Sequence, residues 1–442
     1  MKRLLGKRFL EERAARLAYA YDASGLCFVP EAVALPQELE EVKEILRLAY
    51  EERFPVIPRG AGTATTGAPL AAYGGLVLAL TKMNRILEIN TEDLIAVVEP
   101  GVINGEFRQA VEERGLFYPP DPASYEFSSL GGNVATCAGG PKGLKYGVTK
   151  DYVLGLEVVL PSGESIFCGR RTVKGVVGYD LVHLFVGSEG TLGVITKIIL
   201  KLLPKPKARG TILAGFADLT LAVRGFSALL KKGLLPATAE LLDDVTLEAV
   251  ARFLGKRPSA QALLLLDFDG GKAQVQEDLE EGLKSLAPYA LFLEKAQDEP
   301  TRTKLWQARK NVSPALKSLA PGKIADDVVV TRSQIPKLIQ FIKQAAQETG
   351  LKVACFGHLG DGNLHVNILF DPQKDLEQAQ KLREEILAHV LSLSGTISGE
   401  HGIGLTKRAY LPQELSPKLI ELMQGLKNFF DPRGILNPGK IF

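Results

Sequence analysis

The chain has 442 residues, 46% of them hydrophobic and 24% charged, and its 53 basic and 51 acidic side chains leave a formal net charge of +2. That is material for a sizeable core and, at roughly 150 residues each, for more than one domain. The charges mix without long single-sign blocks, which removes the electrostatic footprint that nucleic-acid binding requires, so no nucleic-acid partner is expected.

At the N-terminus Lys7, Arg8, Glu11, Glu12 and Arg13 interrupt any apolar stretch long enough for a signal peptide. No later run reaches the ~18 apolar residues of a membrane span, so a cytoplasmic protein that does not span a membrane is expected. From about Pro30 to Pro204 short apolar strands alternate with Gly/Pro-rich turns and amphipathic helices. Helical periodicity marks residues 36–53 and 104–114, and strands are predicted at 76–80, 95–98, 153–159 and 194–201. The stretch Leu202-Leu203-Pro204-Lys205-Pro206-Lys207 reads as a linker. Beyond it, residues 219–231 and 272–286 read as helices and 262–268 and 352–369 as strand material, a second α+β domain. The turn-rich end from Phe429 to Lys440 suits a return to the first domain. The expected division is therefore residues 1–204, 205–405 and 406–442.

Four cysteines, Cys27, Cys137, Cys168 and Cys355, form no C-x-x-C pair. This argues against an iron–sulfur cluster, a thiolate zinc site and a disulfide framework. Redox chemistry in this chain would need a bound organic cofactor or a borrowed metal centre.

Three segments are rich in glycine: Pro58-Arg59-Gly60-Ala61-Gly62-Thr63-Ala64-Thr65-Thr66-Gly67, Gly131-Gly132-Asn133-Val134-Ala135-Thr136-Cys137-Ala138-Gly139-Gly140, and Gly187-Ser188-Glu189-Gly190-Thr191-Leu192-Gly193. None has the G-x-G-x-x-G spacing of a dinucleotide turn, and no Gly-Lys precedes Ser or Thr as in a P-loop. A nicotinamide enzyme is thereby disfavoured. Glycine lets backbone N–H groups close on an anion, and threonine hydroxyls add donors, so such loops suit a pyrophosphate. One loop alone would be an ordinary turn; three in one domain point to a ligand.

These segments, together with Pro119-Pro120-Asp121-Pro122-Ala123-Ser124 and the run Gly187 to Thr196, resemble the FAD-binding domain of the vanillyl-alcohol-oxidase (PCMH-type) flavoproteins, in the glycolate oxidase and D-lactate dehydrogenase branch. The resemblance runs from about Asp22 to Phe442. It implies an α+β protein: a PCMH-type FAD-binding domain, a second α+β, ferredoxin-like substrate or cap domain, and a C-terminal segment returning to the first. It also implies that Pro58, Arg59, Gly60, Ala61, Gly62, Thr63, Thr66 and Gly67 in the first loop wrap the FAD pyrophosphate. Ser129, Gly131, Gly132, Asn133, Thr136, Ala138, Gly139 and Gly140 would do so around the second, with Pro120, Asp121 and Tyr146 among the FAD contacts. Gly190, Gly193 and Ile195 would line the adenine side and Asn437 would approach the flavin. Many relatives tether FAD through a histidine in the first loop; this sequence has Ala61 and Thr63 there, so FAD is expected to be non-covalent.

Two of the five histidines lie in Gly357-His358-Leu359-Gly360-Asp361-Gly362-Asn363-Leu364-His365. Asp361-Gly362 signals a two-residue hairpin, which would set His358 directly across from His365 with Cβ atoms about 5 Å apart, near enough to share a cation. Ser398-Gly399-Glu400-His401-Gly402 offers a carboxylate as a third ligand for Zn, Mn or Fe. On spacing alone a plain hairpin with two paired histidines remains open. The same resemblance implies His358, His365 and Glu400 as metal ligands and His401 as the catalytic base. His183 reads as a packed residue, and His389 as an exposed one on a helix.

The family pattern W-x-x-R is matched by Trp306 and Arg309, which implies Arg309 as the anchor of a substrate carboxylate, a task suited to a planar two-pronged guanidinium. A solvated helix arginine is the plain reading of the residue by itself. The lysine that binds a distal acid in some relatives has no clean counterpart, since Lys323 is displaced and Ala325 occupies the place.

The chemistry implied is oxidation of a 2-hydroxy acid of glycolate or D-lactate type. A divalent metal would acidify the hydroxyl, His401 would take its proton, and hydride would pass to flavin N5. The competing readings are a metal-free FAD alcohol or sugar oxidase, and a non-catalytic FAD protein that transfers electrons within a multi-component dehydrogenase. The expected partners are the small-molecule acid and, as electron acceptor, an iron–sulfur protein or an electron-transferring flavoprotein; a homodimer is the candidate assembly.

Overall fold

The computed structural model describes residues 1–254 and 258–442. It divides into two compact units. One comprises Met1–Gly139, Val148–Lys205 and Glu400–Phe442; the other comprises Gly140–Gly147 and Pro206–Gly399. The boundaries expected from the sequence lie after residues 204 and 405.

In the first unit a four-stranded sheet has the order Phe9–Leu10, Ala32–Ala34, Leu76–Ala79, Val56–Arg59, and its last three strands are parallel. The helix Leu39–Glu52 covers it with Val42, Ile45, Leu46 and Ala49, an i, i+3, i+4, i+7 stripe that is wholly buried. Arg53 ends this helix in the left-handed region at φ 58°. The C-terminal segment does return to this unit: the Val56 N–H donates to Ile435 O (2.8 Å) and the Asn437 N–H to Val56 O (2.8 Å), so residues 435–437 run alongside the edge strand. A second, antiparallel sheet has the order Ile86–Asn90, Ile95–Val98, Val194–Lys201, Val153–Val159, Ser165–Gly169.

The second unit is built on one seven-stranded antiparallel sheet, ordered Phe292–Ala296, Ala208–Phe216, Ala262–Gly270, Thr238–Leu242, Lys352–His358, Asn363–Phe370, Gly322–Val329. Helices Leu219–Lys231, Lys272–Leu286, Ile335–Thr349 and Leu376–Ser392 pack on the sheet. On the other side, Leu242, Leu263, Ala354 and Phe356 join an apolar cluster with Leu247, Val250, Val312 and Leu316. Among the described residues no helix is long and apolar enough to cross a membrane.

Candidate functional site

In the first unit the strand Val56–Arg59 delivers Pro58 and Arg59 to the first glycine loop, and Ser129 opens the helix Leu130–Thr136, which carries Gly131, Gly132, Asn133 and Thr136. Ser129 ties the two loops together, its Oγ accepting from Ala61 N (3.3 Å) and Gly132 N (3.4 Å). The closeness explains Gly60: a Cβ there would lie 2.2 Å from Ser129 Oγ. Thr136 Oγ1 donates to Gly132 O (3.1 Å), and Ala138 and Gly139 follow the helix. Pro120 and Asp121 lie in the irregular stretch before it, while Ile195 sits buried near the start of the strand Val194–Lys201. Gly190 (φ 69°) and Gly193 lie in the turn that leads into that strand. Gly140 and Tyr146 fall in the other unit, where the Tyr146 hydroxyl donates to Asp269 (2.9 Å).

Buried polar atoms around these loops test whether a polar ligand fits. Arg59 Nη1, Ser128 Oγ, Asn133 Nδ2 and Asn437 Oδ1 are buried and hydrogen-bond to nothing in the protein. Leaving such groups unpaired costs about 1–3 kcal/mol each, so their clustering at glycine loops fits a large ligand with many donors and acceptors, as FAD is. Arg59 is otherwise held by Tyr21 O (2.8 Å), and Asn437 Nδ2 by Glu189 O (2.7 Å) and Ala68 O (3.0 Å).

The Glu400–Thr406 segment is stitched into the same loops. Thr66 Oγ1 donates to His401 O (3.3 Å), and Thr66 O accepts from Leu405 N (2.8 Å) and Thr406 N (3.2 Å). Ile403 N (2.7 Å) and Gly404 N (2.8 Å) donate to the two oxygens of the Glu189 carboxylate. Burial pushes that carboxyl up to about 7, against these bonds and the charges of Lys440 and Lys407. A Cβ on Gly139 would meet Glu400 Oε2 at 2.9 Å, and His401 Nε2 lies 3.6 Å from Glu400 Oε1. Glu400 thus stands directly against the second glycine loop, with the His401 imidazole beside its carboxylate.

In the second unit the hairpin corrects the expected register. His358 pairs with Asn363 and Phe356 with His365, so the loop has four residues, Leu359 to Gly362, and the histidines are diagonal, not opposed. A two-residue type I′ turn would need positive φ at both Asp361 and Gly362 and a type II′ turn at Asp361, and only Gly362 (φ 86°) has it. Instead the Asp361 and Gly362 N–H groups both donate back to His358 O (3.2 and 3.1 Å). The histidines still share a face: their ring centroids are 5.2 Å apart, edge-on at 87°, and a nitrogen from each comes within 4.8 Å of the other.

One residue that carried no motif organises this face. Glu240 is fully buried on the adjoining strand, in register with His358. Its Oε1 takes His358 Nδ1 and its Oε2 takes Arg309 Nε. Burial disfavours the charge, but His358 and Arg309 together outweigh burial and hold the carboxyl well below the usual range. Arg309 also lies over the Phe356 ring, 4.8 Å from its centroid. Its helix, Glu299–Lys310, reaches the sheet again through Arg302 and Trp306, which donate to Asp267 (2.8 and 3.0 Å). On the far side Asp327 is in register with His365 and accepts from Gly399 N (2.9 Å). A Cβ on Gly399 would lie 2.4 Å from Asn363 Nδ2. Two imidazoles with a carboxylate fixed on one of them suit a divalent cation. Ala325 pairs with Asn367, and Lys323 Nζ donates to Ser313 (3.2 Å).

The remaining histidines differ from expectation. His183 is exposed, bonded to Asp180 and to Lys150 O (3.0 Å), because its short helix Val182–Phe185 turns Val182 and Phe185 inward. His389 is half-buried, stacked on Phe341 with centroids 3.9 Å apart.

Residues 30–169 match the model of the FAD binding domain, and residues 205–441, more than half of the chain, that of the C-terminal domain of FAD linked oxidases. The chain belongs to the FAD-linked oxidases. Within this family it is 42% identical to the glycolate oxidase subunit GlcD of Bacillus subtilis over 99% of this chain and 94% of the relative. It is 37% identical to the Escherichia coli (strain K12) protein of the same name, over 95% and 86%. With the D-lactate dehydrogenase of Anaerostipes hadrus it shares 35%, over 93% and 89%. Among solved structures, p-cresol methylhydroxylase with substrate bound superposes with a TM-score of 0.83 at 19% identity, covering 100% of this chain and 95% of that one. Alkyldihydroxyacetonephosphate synthase gives 0.77 at 21%, covering 98% and 82%. These likenesses establish the PCMH-type fold of this FAD-linked oxidase.

Proposed function

We propose that the chain oxidises a 2-hydroxy acid of the glycolate or D-lactate type to the 2-oxo acid, with non-covalent FAD and a divalent cation held by His358, His365 and Glu400. Bound FAD supplies the two-electron acceptor and the cation a Lewis acid that makes a hydroxyl acidic near neutral pH. The observation that carries the reading is the Glu400–His401 pair fastened to the glycine loops through Thr66 and Gly139. His401 accepts the hydroxyl proton as general base. Arg309 pairs with the substrate carboxylate and so sets which hydrogen on the carbinol carbon faces the acceptor.

Several features support this assignment. Ala61 and Thr63 leave the first loop without a tethering histidine. The names of the relatives are those of glycolate and D-lactate enzymes, and the word subunit in two of them supports work alongside another protein that takes the electrons, an iron–sulfur protein or an electron-transferring flavoprotein. A metal-free alcohol oxidase would have no use for the paired histidines.

Anaerobic titration of the FAD-loaded protein with a panel of 2-hydroxy acids tests the reading. Glycolate or D-lactate should bleach the oxidised flavin band, chelation should stop the bleaching, and Mn²⁺ or Zn²⁺ should restore it. Bleaching at full rate in a verified metal-free preparation would remove the cation; no bleaching by any 2-hydroxy acid would remove the substrate class.

A further inference from the structure

We infer that Glu240 is a positioning residue that fixes a metal ligand and the substrate anchor in one spatial relation, by holding His358 with one carboxylate oxygen and Arg309 with the other. The inference rests on the metal-site reading above, and adds to it a residue on which both halves of that site depend.

Glu240 stands in the centre of the strand Thr238–Leu242, every residue of which is buried, and its own exposure is zero. A charge in such a place survives only if its oxygens are satisfied, and here they are satisfied by the two side chains to which the reaction assigns tasks. The geometry has a chemical consequence for His358. A carboxylate on Nδ1 keeps the proton on that nitrogen and makes Nε2 the basic one, with the ring plane fixed. For Arg309 the bond uses Nε, which orients the guanidinium so that its terminal nitrogens project past Glu240, and the Phe356 ring beneath holds the plane. The two bonds share one rigid group, so the distance from cation to carboxylate anchor is set by a single side chain.

The consequence is readable in Glu240→Gln. An amide has one oxygen, so it can accept from His358 or from Arg309; its NH2 then faces a second donor and one of the two must turn away. With [15N]histidine-labelled FAD-loaded protein, His358 of the wild type should show Nδ1 protonated and Nε2 bare, with Nε2 shifting on Zn²⁺ addition. In the variant the tautomer should no longer be fixed and Zn²⁺ affinity should fall 10- to 100-fold. The KM for the 2-hydroxy acid should rise, while FAD content stays at one per chain. Arg309→Gln, which leaves Glu240 on His358, should raise KM but keep the His358 tautomer and hold Zn²⁺ affinity within a few-fold. A wild-type His358 protonated on Nε2, or wild-type Zn²⁺ affinity in Glu240→Gln, overturns the inference, and the first needs no variant to fold. A wild type that shows the Nδ1 proton but takes up no Zn²⁺ supports the clamp and removes the metal reading instead.

Discussion

Replacing Glu189 by Gln should remove one source of pH dependence from the protein's stability. Glu189 is buried, with φ at 51°, and its carboxylate receives the Ile403 and Gly404 N–H groups. Burial raises its pKa from an ordinary 4.5 to about 7. The folded state therefore binds this proton more tightly than the unfolded chain does. The resulting stabilisation is fully present below pH 4.5 and is lost as pH rises through 7. At about 1.4 kcal/mol per tenfold difference in acidity, the gap amounts to roughly 3 kcal/mol. Asp243 in the other unit, pushed up to about 6 by burial, gives a slope of the same sign in both proteins and cancels in their difference. Urea unfolding with excess FAD, at steps from pH 4 to 7.5, isolates the effect and stops short of Lys440, which burial brings down to about 8. Wild-type stability minus that of Glu189→Gln should fall by roughly 3 kcal/mol across that range. A flat difference would refute the claim that the buried carboxyl holds its proton towards neutrality.

Two further outcomes follow from the loops. Gly60→Ala places a methyl 2.2 Å from Ser129 Oγ and must turn that hydroxyl away from Ala61 N and Gly132 N; at about 1 kcal/mol per bond, FAD affinity should drop on the order of tenfold to a hundredfold by flavin-fluorescence titration. His401→Ala should abolish substrate-driven flavin reduction in stopped flow while the holoprotein keeps its FAD, since His401 is joined to Thr66 through its backbone carbonyl rather than its ring.

The sequence carried the fold wherever the signal was local. The helical periods of residues 36–53 and 272–286 stand as the helices Leu39–Glu52 and Lys272–Leu286, and the first two glycine loops stand together because Ser129 bonds both. What could not be read was long-range. Glu240 sits in a five-residue strand with no motif around it, and its partner His358 is 118 positions away. Its signal was a lone acid in Thr238-Ala239-Glu240-Leu241-Leu242, a polar residue in a run too apolar to face water. His389 was misplaced for a similar reason, since the ring it stacks on, Phe341, belongs to another helix.

The hairpin shows why a shift in register leaves both imidazoles on one face. Opposing His358 to His365 makes the paired residue numbers sum to 723, whereas the observed pairs, 358 with 363 and 356 with 365, sum to 721. A shift of two preserves parity, and side chains alternate faces with a period of two, so both rings stay on the face that carries Glu240 and Asp327. Had the loop been longer or shorter by one, the sum would have changed by one and His365 would have turned to the opposite face, among the helices. The tolerance is therefore a property of strand geometry. Any even slip keeps the two imidazoles on one surface and any odd slip separates them; in the observed four-residue loop Gly362 has a positive φ and a Cβ there would meet Val330 O at 2.0 Å.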